Sequence, residues 1–142
     1  MIYKATRLIA QALDEEGIRY EVKENEKYSE AIVSFPIKNG PSARVSFISS
    51  DDDNDVTVRI FGLVHDVSED RDVEILKAIN KCNDHFRFAK MVMDEDRDIN
   101  VEYDFPVKTG SDCVGEIACE LASRLSSILE DCYPILMKAL WG

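Results

Sequence analysis

Hydrophobic residues recur along this chain in two periods, and the order of the periods predicts its elements. Over about residues 2–16, Ala5, Leu8, Ile9, Ala12 and Leu13 fall at helical spacing, and the pattern stops at Gly17. A glycine after Asp14-Glu15-Glu16 is a helix stop, because it accepts the left-handed conformation in which helices end. Four segments of strand character follow. Ile18 to Val22 is short. Ala31, Val33, Phe35 and Ile37 then alternate with Ile32, Ser34 and Pro36, ahead of the turn residues Asn39-Gly40-Pro41. Arg44 to Ser49 puts Val45 and Phe47 on one face. Beyond the Asp51–Asp55 loop, Val56, Val58 and Ile60 alternate with Thr57, Arg59 and Phe61. Short connections between such runs favour antiparallel neighbours.

A second helix is predicted from Ser68, which caps it ahead of Glu69, Asp70 and Asp72 at its positive end. Its apolar stripe is Val73, Leu76, Ile79 and Cys82. Two strands follow, Phe86 to Met93 and Ile99 to Val107, separated by an acidic turn. In the second, Ile99, Val101, Tyr103 and Phe105 alternate with Asn100, Glu102 and Asp104, as in a strand that covers a core from one side. The closing helix begins near Ser111-Asp112 and carries Val114, Ile117, Ala118, Leu121, Leu125, Ile128, Leu129 and Cys132 on one face. Pro134 should bend it or begin a new helix, because it lacks the amide donor. The order α-β-β-β-β-α-β-β-α indicates an α+β fold, an antiparallel β-sheet flanked by helices. With no repeat and no dividing linker, residues 1–142 read as a single domain.

Charge narrows the partners. The net charge of -11 arises mainly between residues 51 and 104, where sixteen acidic residues face seven basic ones. Such a surface repels phosphate backbones and anionic lipid headgroups, which argues against nucleic acid and membrane as partners. No apolar run is long enough to span a bilayer. Cys82, Cys113, Cys119 and Cys132 form no CxxC pair and lie in helical segments, which points to a reduced, cytoplasmic setting.

Candidate chemistry is sparse. Asp51, Asp53 and Asp55 open like a calcium loop, but Val56 and Gly62 occupy the positions that need Gly and Glu; Asp94, Asp96 and Asp98 fail alike at Ile99 and Phe105. Both read as solvated acidic turns. Cys82 and His85 lack the further ligands that zinc requires, and as a nucleophile pair they lack an orienting group. Cys82, Cys119 and Cys132 read as small core residues. No phosphate loop, G-x-S-x-G elbow or H-E-x-x-H motif is present. The sequence therefore implies no catalytic residue, metal or cofactor.

The block Asn80, Asn83, Phe86, Arg87, Phe88, Ala89 and Lys90, a helix ending in Asn-x-x-Asn and then an aromatic-basic-aromatic-small-Lys run, resembles the YbjN-like family of bacterial sensory transduction regulators. The acidic hairpin Asp94 to Asp98 and the strand Val101 to Phe105 extend the likeness. The hairpin departs from the family in lacking its usual Gly. The resemblance implies a fold like the type III secretion chaperones, dimerisation, and no catalytic residues. The expected role is a non-enzymatic protein-binding, chaperone-like or regulatory module acting as a homodimer. A small ligand-binding domain or enzyme, with a pocket between sheet and closing helix, is the alternative. The candidate protein-binding residues are Asn80, Asn83, Phe86, Phe88 and Lys90, with Leu136, Leu140 and Trp141 of the apolar tail. That tail docks either on the domain's own sheet or on a partner.

Overall fold

The computed structural model describes residues 1–50, 55–107 and 113–142. Its elements follow in the order α1 (Lys4–Glu15), β1 (Glu21–Glu24), β2 (Tyr28–Pro36), β3 (Ser42–Ser50), β4 (Asp55–Val64), a short 3-10 turn (Glu69–Arg71), α2 (Asp72–His85), β5 (Lys90–Met93), β6 (Ile99–Pro106) and α3 (Val114–Trp141). The strands form one antiparallel sheet ordered β1-β2-β3-β4-β6-β5. The expected α+β class and element order are both present.

Alternation decides which sheet face the helices cover. Ala31 and Val33 of β2, Val45 and Phe47 of β3, Val56, Val58 and Ile60 of β4, and Val101 and Phe105 of β6 are all buried with residues of α1, α2 and α3 in one core. Each aliphatic or aromatic side chain so buried contributes about 1.5–3 kcal/mol. The opposite face carries Glu30, Ser34, Arg44, Thr57, Arg59, Phe61, Glu102 and Lys90, all exposed or half-buried. Register aligns a row across the whole sheet on that face, from Glu21 through Ile32, Ser46, Arg59 and Glu102 to Lys90.

Gly17 ends α1 as anticipated. It sits at φ 69°, with its amide on the Asp14 carbonyl and the Ile18 amide on the Leu13 carbonyl, a Schellman closure. That closure draws Ile18 against the core, so β1 begins only at Glu21 and its four residues are exposed. α1 crosses α3 closely: a Cβ on Gly115 would lie 2.6 Å from the Leu8 carbonyl oxygen and from the Ala12 Cβ.

Several expectations need correction. The α2 stripe is Ile75, Ala78, Ile79 and Cys82, whereas Val73 and Leu76 are 61% and 50% exposed. Strict three-residue steps drift about 60° each around a helix, whereas 3, 4 spacing holds one face. Ser68 does not cap α2; it precedes the 3-10 turn and donates its hydroxyl to the Asp70 carboxylate. Residues 86–89 form a loop instead of opening β5, because Phe86 still closes the helix and Phe88 takes φ 72°. α3 runs through Pro134 as one helix, so of the two alternatives at Pro134 a new helix is the one that does not occur. The missing bond and ring clash cost about 3 kcal/mol, but burying Leu136 and Leu140 beyond it offsets about 3–6 kcal/mol. The expected helix start at Ser111-Asp112, and Asp51 and Asp53 of the first acidic loop, lie outside the described residues.

Candidate functional site

The Asn80 to Lys90 block joins α2 to the sheet edge formed by β5. Asn83 spends its side chain there. Its Oδ1 accepts from the Met91 amide at 2.8 Å and its Nδ2 donates to the Met91 carbonyl at 3.1 Å. The carboxamide thus mimics a neighbouring strand on an edge that would otherwise offer free backbone groups. Lys90 turns back to the end of α2, where its Nζ donates to the carbonyls of Asn83 at 2.6 Å and Phe86 at 2.9 Å. Those carbonyls have no helical partner, and a cation also suits the negative helix end. Phe86 is half-buried against the core and meets His85 edge-to-face. Of the block's candidate binding residues, Asn80 and Phe88 are those whose side chains remain exposed and uncommitted to backbone bonding.

Phe88 stands apart. A bulky residue at φ 72° is an outlier that costs on the order of 1–3 kcal/mol. That conformation sets its ring, 44% exposed, edge-on to Tyr103 at 6.0 Å and beneath two guanidinium groups. Arg124 of α3 lies 4.9 Å from the ring centroid and Arg87 lies 5.8 Å from it. A cleft of about 520 Å³ opens on one side of this stack, lined by His85, Phe86, Arg87, Phe88, Ser123, Arg124, Ser127 and Ile128. A smaller hollow of about 100 Å³ lies between Phe88, Tyr103 and the α3 residues Ile117, Glu120, Leu121 and Arg124. Arg124 and Tyr103 escaped the sequence reading. The Glu120–Arg124 pair at i, i+4 was the available signal for an ordered arginine on that face.

The apolar tail divides. Leu136 and Leu140 are buried in the molecule's own core, Leu140 reaching only the wall of the cleft beside Trp141. Trp141 is 81% exposed. It borders a cleft of about 570 Å³ between the end of α3 and the segment from Leu63 to Arg71, with Tyr133 and Met137 along the helix side.

The second acidic turn is knotted inward. Asp94 Oδ1 accepts from the amides of Asp96 at 2.9 Å and Asp98 at 3.0 Å, and its Oδ2 accepts from Asn100 Nδ2 at 2.8 Å. The Asp98 amide, then Asn100, hold the Asp94 carboxyl below its usual range. Asn100, buried on a position that alternation makes outward, also accepts from the Gly62 amide at 2.8 Å. Gly62 lies at φ 63° where β4 carries extra residues between its pairings at Ile60 and Val64. Arg97 takes the left-handed place at φ 64° that glycine often fills, and its guanidinium binds the Val67 carbonyl at 2.6 Å and the Asp72 carboxylate. Elsewhere in the core, the Cys132 thiol is pushed up by its hydrogen bond with Cys82 and then by burial. Among the described residues, no cluster of three or more His, Cys, Asp or Glu is arranged to hold a metal ion, and no helix is long and apolar enough to cross a membrane.

The block that carried the resemblance is thus the device that locks α2 onto the sheet edge. The family model YbjN, described as "Putative bacterial sensory transduction regulator", matches residues 6–116. The chain belongs to the YbjN family. No curated protein and no solved structure matches the chain. The YbjN match spans α1 through the opening of α3, so it includes Asn83, Phe88 and the Asp94 knot. Arg124 and Trp141 lie beyond it.

Proposed function

We propose that this chain is a non-enzymatic protein-binding module of regulatory or chaperone-like type, acting as a homodimer in the bacterial cytoplasm. The observation that carries the reading is Trp141, 81% exposed on a helix whose flanking Leu136 and Leu140 are buried. A large aromatic held open beside a cleft whose helix side is Tyr133, Met137 and Leu140 gains free energy when a partner covers it. Membership of a family described as regulators supports a role in binding over one in turnover. Dimerisation is supported by the sheet face opposite the helices, where Tyr28 and Phe61 are 38% and 63% exposed.

Light scattering and affinity capture from the bacterial cytosol, run beside Trp141→Asp, test this reading. The expected result is a dimer mass, and a specific captured protein that the substitution releases. A strict monomer with no partner lost on Trp141→Asp would overturn it. Leu136 is unsuitable as a control, because a buried aspartate there would unfold the chain.

A further inference from the structure

We propose that the cleft between the 86–89 loop and α3 is a binding site for a small organic anion, a phosphate or carboxylate carried on an aromatic or apolar body. This goes beyond the protein-binding role and stands or falls separately from it. The chain carries 28 acidic residues against 17 basic ones, yet among the described residues the lining of this cleft holds Arg87, Arg124 and His85 and no carboxylate. Among the described residues the Arg87 guanidinium makes no hydrogen bond or ion pair; it lies 5.8 Å from the Phe88 ring centroid, and only the Arg87 backbone carbonyl is engaged, by the Ala89 amide. On so acidic a protein, a guanidinium left without a carboxylate at a concave site is a demand for an anion from outside.

Arg124 is more nearly free than its salt bridge suggests. Its Nε and one terminal nitrogen share a single Glu120 oxygen, at 3.1 and 2.7 Å, and both side chains are at least half exposed. Such a pair is worth little in water and yields to a better-placed acceptor. Ser123 and Ser127, one helical turn apart on α3, add hydroxyl donors to the same wall. The end of α2 would ordinarily repel an anion here, but Lys90 occupies its Asn83 and Phe86 carbonyls and supplies a third positive charge nearby.

The apolar half of the ligand follows from Phe86, Phe88 and Ile128 in the same lining. Phe88 holds its place only through the strained φ of 72°, which seats the ring against both arginines. Strain of that kind persists where the surroundings impose it, and it gathers at ligand clamps. A volume of about 520 Å³ suits a metabolite-sized molecule.

The test is a titration of the full chain with phenyl phosphate, followed by amide and arginine Nε–H nuclear magnetic resonance shifts. Inorganic phosphate and benzyl alcohol serve as the charge-only and ring-only probes. Saturable shifts confined to residues 85–88 and 123–128 are expected, weakened by salt. The Arg87→Gln/Arg124→Gln variant should bind at least roughly tenfold more weakly. Glu120→Gln removes the internal competitor and should tighten binding roughly two- to fivefold, a change that a purely structural arginine would not produce. The proposal is overturned by the absence of saturation at concentrations on the order of 10 mM. Equal binding of either single-feature probe, or unchanged affinity in Glu120→Gln, would overturn it too.

Discussion

Asn83 and Met91 are joined by a two-point contact in which one side-chain amide satisfies both backbone groups of an edge-strand residue, at 2.8 and 3.1 Å. Met91 pairs with Val101 on its other flank, so its peptide groups toward Asn83 face the open side of the sheet. The contact does two things at once. It fixes the distance between α2 and β5, and it denies the outer edge to a foreign strand.

Asn83→Ala therefore strips two hydrogen bonds from a half-buried edge. At roughly 1 kcal/mol each, the loss should be about 2 kcal/mol of stability, measured by urea unfolding. Asn83→Asp is the sharper control, because it keeps an acceptor for the Met91 amide but has no donor for the carbonyl. It should be at least as destabilising as alanine. An unchanged midpoint in both variants would mean that water replaces the contact without cost.

Arg97 tests whether the turn's missing glycine is a defect or a trade. Arg97→Gly relieves a left-handed backbone worth about 1 kcal/mol. It also removes the bond to the Val67 carbonyl and the pair with Asp72, together about 2–3 kcal/mol for a half-buried charged donor. The second effect is larger, so the variant should be less stable by about 1–2 kcal/mol in thermal or urea unfolding. A gain in stability would show that the guanidinium contacts contribute little.

These contacts also mark where the sequence stops being legible. Period and order were enough for the α+β class, the antiparallel pairing of β2, β3 and β4, and the helix stop at Gly17, because each rests on local chemistry or on one buried face. The α2 stripe was misread because three-residue steps and 3, 4 steps share Ile79 and Cys82, and only the packed partner chooses between them. No new helix begins at Pro134, because the burial of Leu136 and Leu140 is a tertiary term that overrides a local preference. At the candidate site, the block from Asn80 to Lys90 was visible as a motif, and asparagines at a helix end suit a structural duty of bonding stray carbonyls, but the strand that Asn83 bonds was not visible. Asn83 and Lys90 act through backbone atoms that no side-chain pattern reports, and Arg124 reaches Phe88 from an element far along the chain.

Asp94 supplies a pH signature. Its folded-state carboxyl is held below the ordinary value of 3.8, chiefly by the Asp98 amide and then by Asn100. The unfolded chain thus binds the proton more readily. The stabilisation is fully present above about pH 5, declines as pH falls through the ordinary aspartate range, and is lost once pH passes below the folded-state value. Asp94→Asn cannot titrate and turns a donor toward Asn100 Nδ2, itself a donor. The variant should be less stable at neutral pH, and the gap should narrow steadily below about pH 5 in acid titrations followed by circular dichroism. Parallel stability curves for the two proteins across that range would rule out the inward knot.

The four cysteines should separate by rate. Cys113 is exposed, Cys119 is half-buried, and Cys82 and Cys132 are buried. Thiolate is the reactive form, so both access and proton affinity matter. Burial, then the charges of Glu16 and Glu15, push the Cys119 thiol up, which slows it further. For Cys132, the hydrogen bond with Cys82 and then burial act in the same direction. Alkylation by iodoacetamide near pH 8, read by peptide mass spectrometry, should label Cys113 first and Cys119 more slowly. Cys82 and Cys132 should label only at the rate of unfolding, and therefore together, since both sit in the single core that α2 and α3 share. Labelling of Cys132 at the pace of Cys113 in the folded protein would place α3 away from α2 in solution and refute the packing described above.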